Sequence, residues 1–82
     1  MFEIIVYASQ ASSLSRHVLG VELCCHPHSE GDPVRTGKGQ VLVFGRKSQA
    51  ERVAELFLQG RRLQYSVERA KSVALKVRWE DL

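Results

Sequence analysis

One segment of the chain, residues 48–60, has the period of an α-helix and limits the architectures open to the rest. Ser48 and Glu51 have the spacing of a capping box, in which the serine hydroxyl accepts a backbone N–H and the glutamate reaches back to the cap. Gly60 follows as a typical helix stop. We therefore predict one amphipathic helix, whose apolar face is formed by Ala50, Val53, Ala54, Phe57 and Leu58.

The other ordered segments alternate side chains with the period of a β-strand. The first, residues 2–8, is apolar on both faces, which is typical of an inner strand. Residues 69–72 would form a turn between the last two strands, and a continuous helix over residues 67–77 is the competing interpretation. The predicted strands are residues 2–8, 17–25, 40–45, 61–68 and 73–79, with a long irregular loop over residues 26–39.

This order, β-β-β-α-β-β, predicts a small two-layer α+β domain with a mainly antiparallel sheet of about five strands and one helix. Residues 1–82 are expected to form a single domain, because separate cores need a longer chain. A core this small is marginal alone, so we expect it to dock onto a larger body or to pair with a second copy as a homodimer.

The formal net charge of +3 hides a strong asymmetry along the chain. Residues 1–34 sum to −3, whereas residues 35–79 carry eleven basic side chains against three acidic ones. A positive half of this kind attracts phosphate backbones or an acidic protein face. The candidate binding residues are Arg35, Lys38, Arg46, Lys47, Arg62, Lys76 and Arg78.

Three of these cations belong to the last two predicted strands. In that alternation Arg62, Lys76 and Arg78 share one face, opposite Leu63, Tyr65, Leu75 and Trp79. If the apolar set lies under the helix, the outer face of the sheet is basic and has few aromatic side chains, with Tyr7 as the one exception to consider. Glu51 and Glu55 on the helix make it poorly suited to a nucleic-acid groove.

Cysteine and histidine cluster near residue 25 without forming a standard metal motif. Cys24 and Cys25 are consecutive, so their side chains point to opposite faces of a strand and do not easily bridge each other. Zinc sites usually need paired ligands that converge tetrahedrally, and the later half of the chain offers no second pair. We expect reduced thiols and no cofactor, while a sparse metal site involving Cys24, Cys25, His26 and His28 stays open as an alternative.

The sequence bears on two kinds of catalysis. Residues 31–39 resemble a phosphate loop superficially, but Gly39 follows Lys38 where a nucleotide-binding loop has Ser or Thr, so nucleotide hydrolysis is rejected. A small RNase toxin is a further alternative, with His17, His26 and His28 as acid–base groups and Arg35 and Lys38 holding phosphate. The expectation is that the protein is not an enzyme.

The favoured interpretation is a non-enzymatic protein-binding module, an inhibitor or adaptor. It would dock sterically on a larger protein or ribonucleoprotein assembly that handles nucleic acid, with the basic surface and residues 33–39 occupying an acidic site. Inhibitors encoded by phages and mobile elements, anti-CRISPR proteins among them, are similar in size and layout, but no particular residue carries the likeness. Direct binding to DNA or RNA is the alternative.

The start of the sequence bears on where the protein works. Its apolar run is short and contains Glu3, unlike a signal peptide or a membrane-spanning segment. We therefore expect a cytoplasmic protein without a membrane partner.

Overall fold

The computed structural model describes residues 1–71 and 75–82 and confirms the α+β class. The described part contains one α-helix and eight short strands, more than the five predicted, and nearly all strand pairs are antiparallel. The elements are β1 Phe2–Tyr7, β2 Leu14–Val18, β3 Val21–Cys25, β4 Asp32–Pro33, β5 Arg35–Thr36, β6 Val41–Phe44, α1 Lys47–Phe57, β7 Gln64–Arg69 and β8 Lys76–Arg78, followed by a 3-10 turn over Trp79–Asp81.

Strand β1 lies inside the sheet, as its two apolar faces predict. One of its edges pairs with β7 over all six residues. The other edge is shared, because β6 pairs with the first residues of β1 and β4 with Ile5 and Val6.

The segment predicted as one strand over residues 17–25 is a hairpin instead. Strands β2 and β3 pair in register from Leu14 opposite Cys25 to Val18 opposite Val21. Leu19 and Gly20 form the two-residue turn with φ of 50° and 84°. Positive φ at both central residues is typical of the type I′ turn, which matches the twist of a hairpin.

The stretch predicted as an irregular loop, residues 26–39, contains β4 and β5. Strand β4 is antiparallel to β1, and β5 is antiparallel to β6, which is itself antiparallel to β1. The chain must therefore change direction between β4 and β5, at Val34. The Val34 amide donates to the Ile4 carbonyl (2.9 Å), and the Val34 carbonyl accepts from the Leu42 amide (3.0 Å).

Helix α1 forms where it was predicted, but its start differs. It begins at Lys47, and Arg46 is the N-cap residue, with no side-chain hydrogen bond to the first turn. The predicted capping box at Ser48 and Glu51 is therefore wrong, because both residues already lie inside the helix. Gly60 follows the helix with a φ of 81°, the left-handed conformation that ends many helices.

The last two strands do not form the predicted hairpin with each other. Strand β7 begins at Gln64, later than predicted, and pairs with β1, whereas β8 pairs with β6 in parallel. The competing helix over residues 67–77 is wrong for the described residues in that range. The parts of the predicted turn and strand that fall on Ser72, Val73 and Ala74 lie outside the described residues.

The core lies between α1 and the face of the sheet that the helix covers. Phe44 and Phe57 are fully buried there, together with Ile4, Val6, Leu23, Leu42, Val34 and Ala54. Trp79 stacks on Phe44 with 5.9 Å between ring centroids, so the final turn also closes one end of this core. Leu75, expected in the apolar set, is instead 76% exposed.

Candidate binding surface

The sheet face turned away from α1 is mixed in charge. Register places Glu68, Glu3, Val43 and Arg78 in one row across β7, β1, β6 and β8. The next row brings Arg35, Val41 and Lys76 together across β5, β6 and β8. Lys76 and Arg78 do share a face, but two glutamates share it too, and Arg62 precedes β7 altogether. The expected basic outer face is therefore wrong.

Several cations on this face already have partners. Arg35 Nη1 contacts both carboxylate oxygens of Asp32, at 3.1 and 3.0 Å. Arg78 Nε lies 3.9 Å from Glu80 and 3.6 Å from Asp81, in an exposed arrangement of the kind that contributes little. Lys76 is half-buried, and its charge acts on Glu3.

The two glutamates that face each other across β1 and β7 have opposite pKa shifts. Burial raises the pKa of Glu3 above its ordinary value. The pKa of Glu68 is lowered, because Ser66 and Tyr7 donate hydrogen bonds to its carboxylate at 2.8 and 3.2 Å. These bonds also hold the Tyr7 hydroxyl on the outer face, where the sequence left Tyr7 as a candidate aromatic contact.

The start of α1 presents cations without partners in the described part of the chain. Arg46, Lys47 and Arg52 are exposed, and no described carboxylate lies within ion-pair distance of any of them. Arg46 and Arg52 line one shallow depression with Ser48, Gln49 and Glu80. We call Arg46, Lys47 and Arg52 the helix-start surface.

Backbone donors add to the positive character of this place. The Ala50 amide is bonded to the Arg46 carbonyl, so the amides of Lys47, Ser48 and Gln49 have no acceptor within the helix. The first turn contains no acidic residue and receives no side-chain cap. Three cations, three backbone N–H groups without an acceptor in the helix, and the positive end of the helix dipole therefore lie at the same end of α1.

The opposite end of α1 is arranged differently. Arg16 Nη1 donates to the Leu56 carbonyl in the last turn and to the Gln59 carbonyl just beyond it, at 3.1 and 2.7 Å, so a charged donor lies at the negative end of the helix. Arg61 and Arg62 are exposed next to Gly60. Arg62 lines an open groove of about 620 Å³ with Leu63, Gln64, Tyr7, Ser29 and residues 8–12.

Lys38 stands alone at the tip of the β5–β6 hairpin. The Lys38 amide contacts the Thr36 hydroxyl at 3.3 Å, and the Gly39 amide donates to the Thr36 carbonyl at 2.9 Å. Its exposed side chain lies at a loop tip, apart from the helix-start surface in the fold. The seven predicted binding residues thus occupy several places: Arg46 and Lys47 lie at the helix start with Arg52, and Arg62 lies beside Arg61 after the helix end.

Histidine placement bears on the RNase alternative. His17 pairs with Glu22 near the turn of the β2–β3 hairpin, while His26 follows Cys25 at its open end. Four residue steps along the chain, from Glu22 to His26, separate these two positions by about 13 Å. His26 Nδ1 bonds to the Ser13 hydroxyl at 3.0 Å, and His28 Nδ1 accepts the Glu30 amide at 3.2 Å. His17 and His26 are therefore too far apart to act on one phosphate together.

The thiol of Cys25 is buried and that of Cys24 is half-buried. Cys25 is buried in the core, and burial followed by the charges of Asp32 and Cys24 raises its pKa to about 12. Cys24 is half-buried, and its thiol donates to the Thr36 carbonyl at 3.4 Å. Among residues 1–71 and 75–82, no group of three or more His, Cys, Asp or Glu side chains is arranged to hold a metal ion.

Sequence reasoning missed Arg16 and Arg52. Arg52 follows Ser48 by four residues, so helical spacing alone could have placed it beside the helix start. The position of Arg16 in β2 brings its side chain to the end of the helix. Its partners Leu56 and Gln59 lie 40 and 43 positions further along the chain, and no local pattern indicates such a contact.

Comparison with known proteins adds no assignment. No protein-family model, curated protein or solved structure matches the chain. No helix in the described residues is long and apolar enough to cross a bilayer.

Proposed function

We propose that this protein is a small non-enzymatic binding module, an inhibitor or adaptor of the kind that phages and mobile elements encode. It works in the cytoplasm and docks on an acidic surface of a larger protein assembly that handles nucleic acid. The contact is made by the helix-start surface, and the mechanism is steric occupation of that acidic site.

One observation carries the proposal: Arg46, Lys47 and Arg52 are exposed in the first turns of α1, and none has an ion-pair partner in the described residues. Positive charge at a helix start opposes the helix dipole and lowers the stability of the free chain. An acidic group on a partner would remove that penalty and could also accept from the open amides of Lys47, Ser48 and Gln49.

The surroundings of this surface favour a protein over a nucleic acid. Glu51 and Glu55 are exposed on the same helix and would repel a phosphate backbone that follows the helix axis. A protein can instead match alternating charge residue by residue, with carboxylates at the helix start and cations further along. Direct DNA or RNA binding through the same cations is kept as the competing outcome.

The test compares two charge reversals of equal size at the two ends of α1. The variant Arg46→Glu/Lys47→Glu alters the helix-start surface, and Arg61→Glu/Arg62→Glu alters the helix end. Tagged wild type and variants are expressed in the native host, recovered after nuclease treatment and compared by mass spectrometry of what co-purifies. We expect the partner to be lost from the first variant and retained by the second.

Stability separates lost binding from lost folding in this design. Glutamate at a helix start is favourable, so the first variant should be at least as stable as wild type by urea unfolding. Equal recovery of the partner by both variants would contradict the proposal. A labelled DNA duplex or RNA strand that binds wild type with an affinity falling steeply as salt rises would favour nucleic-acid binding instead.

A further inference from the structure

Strand β7 is a long, regular strand with one edge unpaired. All six of its residues pair with β1 in one uninterrupted register, from Phe2 opposite Arg69 to Tyr7 opposite Gln64. Within residues 1–71 and 75–82, no strand pairs with its other edge. We call this the free β7 edge.

The hydrogen bond beyond the strand end fixes which backbone groups this edge exposes. The Ala70 amide donates to the Met1 carbonyl at 3.0 Å, so Met1 and Ala70 are a hydrogen-bonded pair of the ladder. Such pairs alternate along antiparallel strands. Residues 64, 66 and 68 therefore bond to β1, whereas Tyr65, Val67 and Arg69 direct their N–H and C=O groups outward.

The opposite edge of β1 agrees with this alternation. The Ile4 carbonyl accepts the Val34 amide there, as an even-numbered residue of β1 should. The outward-directed groups of β7 thus follow from two independent hydrogen bonds.

The free β7 edge has few of the devices that usually prevent edge pairing, although Glu68 and the exposed Arg69 are charged. It contains no proline, no lysine and no bulge. Its one acidic side chain, Glu68, is held on the outer face by Ser66 and Tyr7. Tyr65 and Val67 are only half-buried on the helix side, so apolar surface borders the edge.

We propose that a second copy of this chain pairs antiparallel with the free β7 edge, about a two-fold axis at Ser66. In that register Tyr65 of one copy forms hydrogen-bonded pairs with Val67 of the second copy, using the outward backbone groups of both. On the outer face Ser66 lies opposite Ser66, and Gln64 lies opposite Glu68. On the helix side Leu63 lies opposite Arg69.

Self-complementary charge favours a second copy as the occupant. Gln64 can donate its amide to the Glu68 carboxylate of the second copy, and the two Glu68 side chains stay far apart. A register centred on Val67 would bring the two Glu68 side chains toward each other across the seam. On the helix side the two Arg69 side chains lie at opposite ends of the seam, so no two cations oppose each other.

This interface is separate from the helix-start surface. It uses backbone groups of β7, and none of Arg46, Lys47 or Arg52 takes part. Failure of one proposal therefore leaves the other standing.

The experiment removes an N–H group that the single chain does not use. Val67→Pro keeps every β1–β7 hydrogen bond, since the Val67 amide faces outward, and proline is tolerated at such edge positions. Val67→Thr is the matched control, because it keeps both the amide and the β-branched shape. Molecular mass is measured by sedimentation from micromolar to millimolar protein, with circular dichroism to confirm that each variant is folded.

We expect wild type and Val67→Thr to approach twice the 9.3 kDa chain mass as concentration rises. Val67→Pro should raise the dissociation constant by about 10- to 100-fold, because two hydrogen bonds of the seam are lost. Wild type that stays at 9.3 kDa throughout would overturn the proposal. Loss of a co-purifying protein in Val67→Pro would then assign the edge to a strand of that protein.

A second measurement tests the register without depending on Val67→Pro. Opposed non-hydrogen-bonded residues have Cα atoms about 4.5 Å apart, within reach of a disulfide. Ser66→Cys should therefore give a covalent dimer under mild oxidation. Val67→Cys should not, since its two copies lie beyond the ~7 Å limit. Wild type controls for Cys24 and Cys25, and cross-linking through Val67→Cys but not Ser66→Cys would overturn the Ser66-centred register.

Discussion

The two ends of α1 carry the same kind of side chain in opposite electrostatic settings. At the C-terminal end Arg16 donates to the Leu56 carbonyl in the last turn and to the Gln59 carbonyl just beyond it, where a cation is favoured. At the N-terminal end Arg46 and Lys47 lie beside open amides, where a cation is disfavoured and no side chain caps the helix. The fold of the chain explains the first arrangement fully. It does not explain the second, which is why we infer a partner there.

The largest expected change in stability comes from removing the Arg16 side chain at the C-terminal end of α1. Arg16→Ala should lower the free energy of unfolding by about 2 kcal/mol, because two hydrogen bonds from a charged donor are lost. Urea unfolding measures the change, with the neighbouring exposed His17→Ala as control. Equal effects of the two substitutions would contradict the capping role of Arg16.

Adding a side-chain cap at the N-terminal end of α1 should raise the free energy of unfolding, by less than the Arg16 substitution lowers it. Arg46→Ser would place a serine at the N-cap with Gln49 at the third helical position, which completes a capping box. We expect a gain of about 1 kcal/mol in unfolding free energy. The same variant should weaken partner recovery. A loss of stability would show that Arg46 has a structural role that its exposure does not reveal.

The turn after the helix tests whether the left-handed backbone conformation of Gly60 contributes to stability at the C-terminal end of α1. Gly60 has a φ of 81°, and a Cβ added there would meet no atom within 4 Å. Gly60→Ala should therefore lower stability by about 1 kcal/mol through backbone strain alone. Gly60→Asn should lose less, because asparagine tolerates the left-handed region. Equal thermal midpoints for wild type and both variants would rule out that strain.

The smallest effects should come from single charge reversals. Lys47→Glu should raise unfolding free energy by about 0.5 kcal/mol, and Arg61→Glu should lower it by a similar amount, because the helix dipole has opposite sign at the two ends. Both changes should fade in concentrated salt, which screens exposed charge. Changes of the same sign for both variants would remove the electrostatic basis of the comparison.

Local patterns predicted the α+β class, the helix and the interior position of β1. They failed at the β2–β3 turn because Leu19, not asparagine or glycine, takes the first positive φ. With no turn signal at Leu19, the alternation over residues 17–25 looked continuous. The capping box failed because the helix begins two residues earlier than expected, at Lys47, which places Ser48 inside the first turn.

Local sequence patterns could not predict which distant strands pair in the sheet. Nothing in the alternation of β8 indicates that it runs parallel to β6 instead of returning along β7. That pairing decides which charges become neighbours, so the mixed outer face could not be anticipated. The position of Arg46 and Lys47 at the helix start could be anticipated, because in the sequence they directly precede the segment with helical period. Their role in binding stays a prediction.

The bend at Val34 has a consequence for how the molecule opens. One residue bonds to β1 through its amide and to β6 through its carbonyl, and the chain beyond it continues into the β3 ladder. Releasing this segment would therefore break contacts in both arms of the sheet at once. Amide hydrogen exchange at Val34, Leu42 and Leu23 should report one shared, cooperative opening event, in which neither arm fluctuates independently of the other.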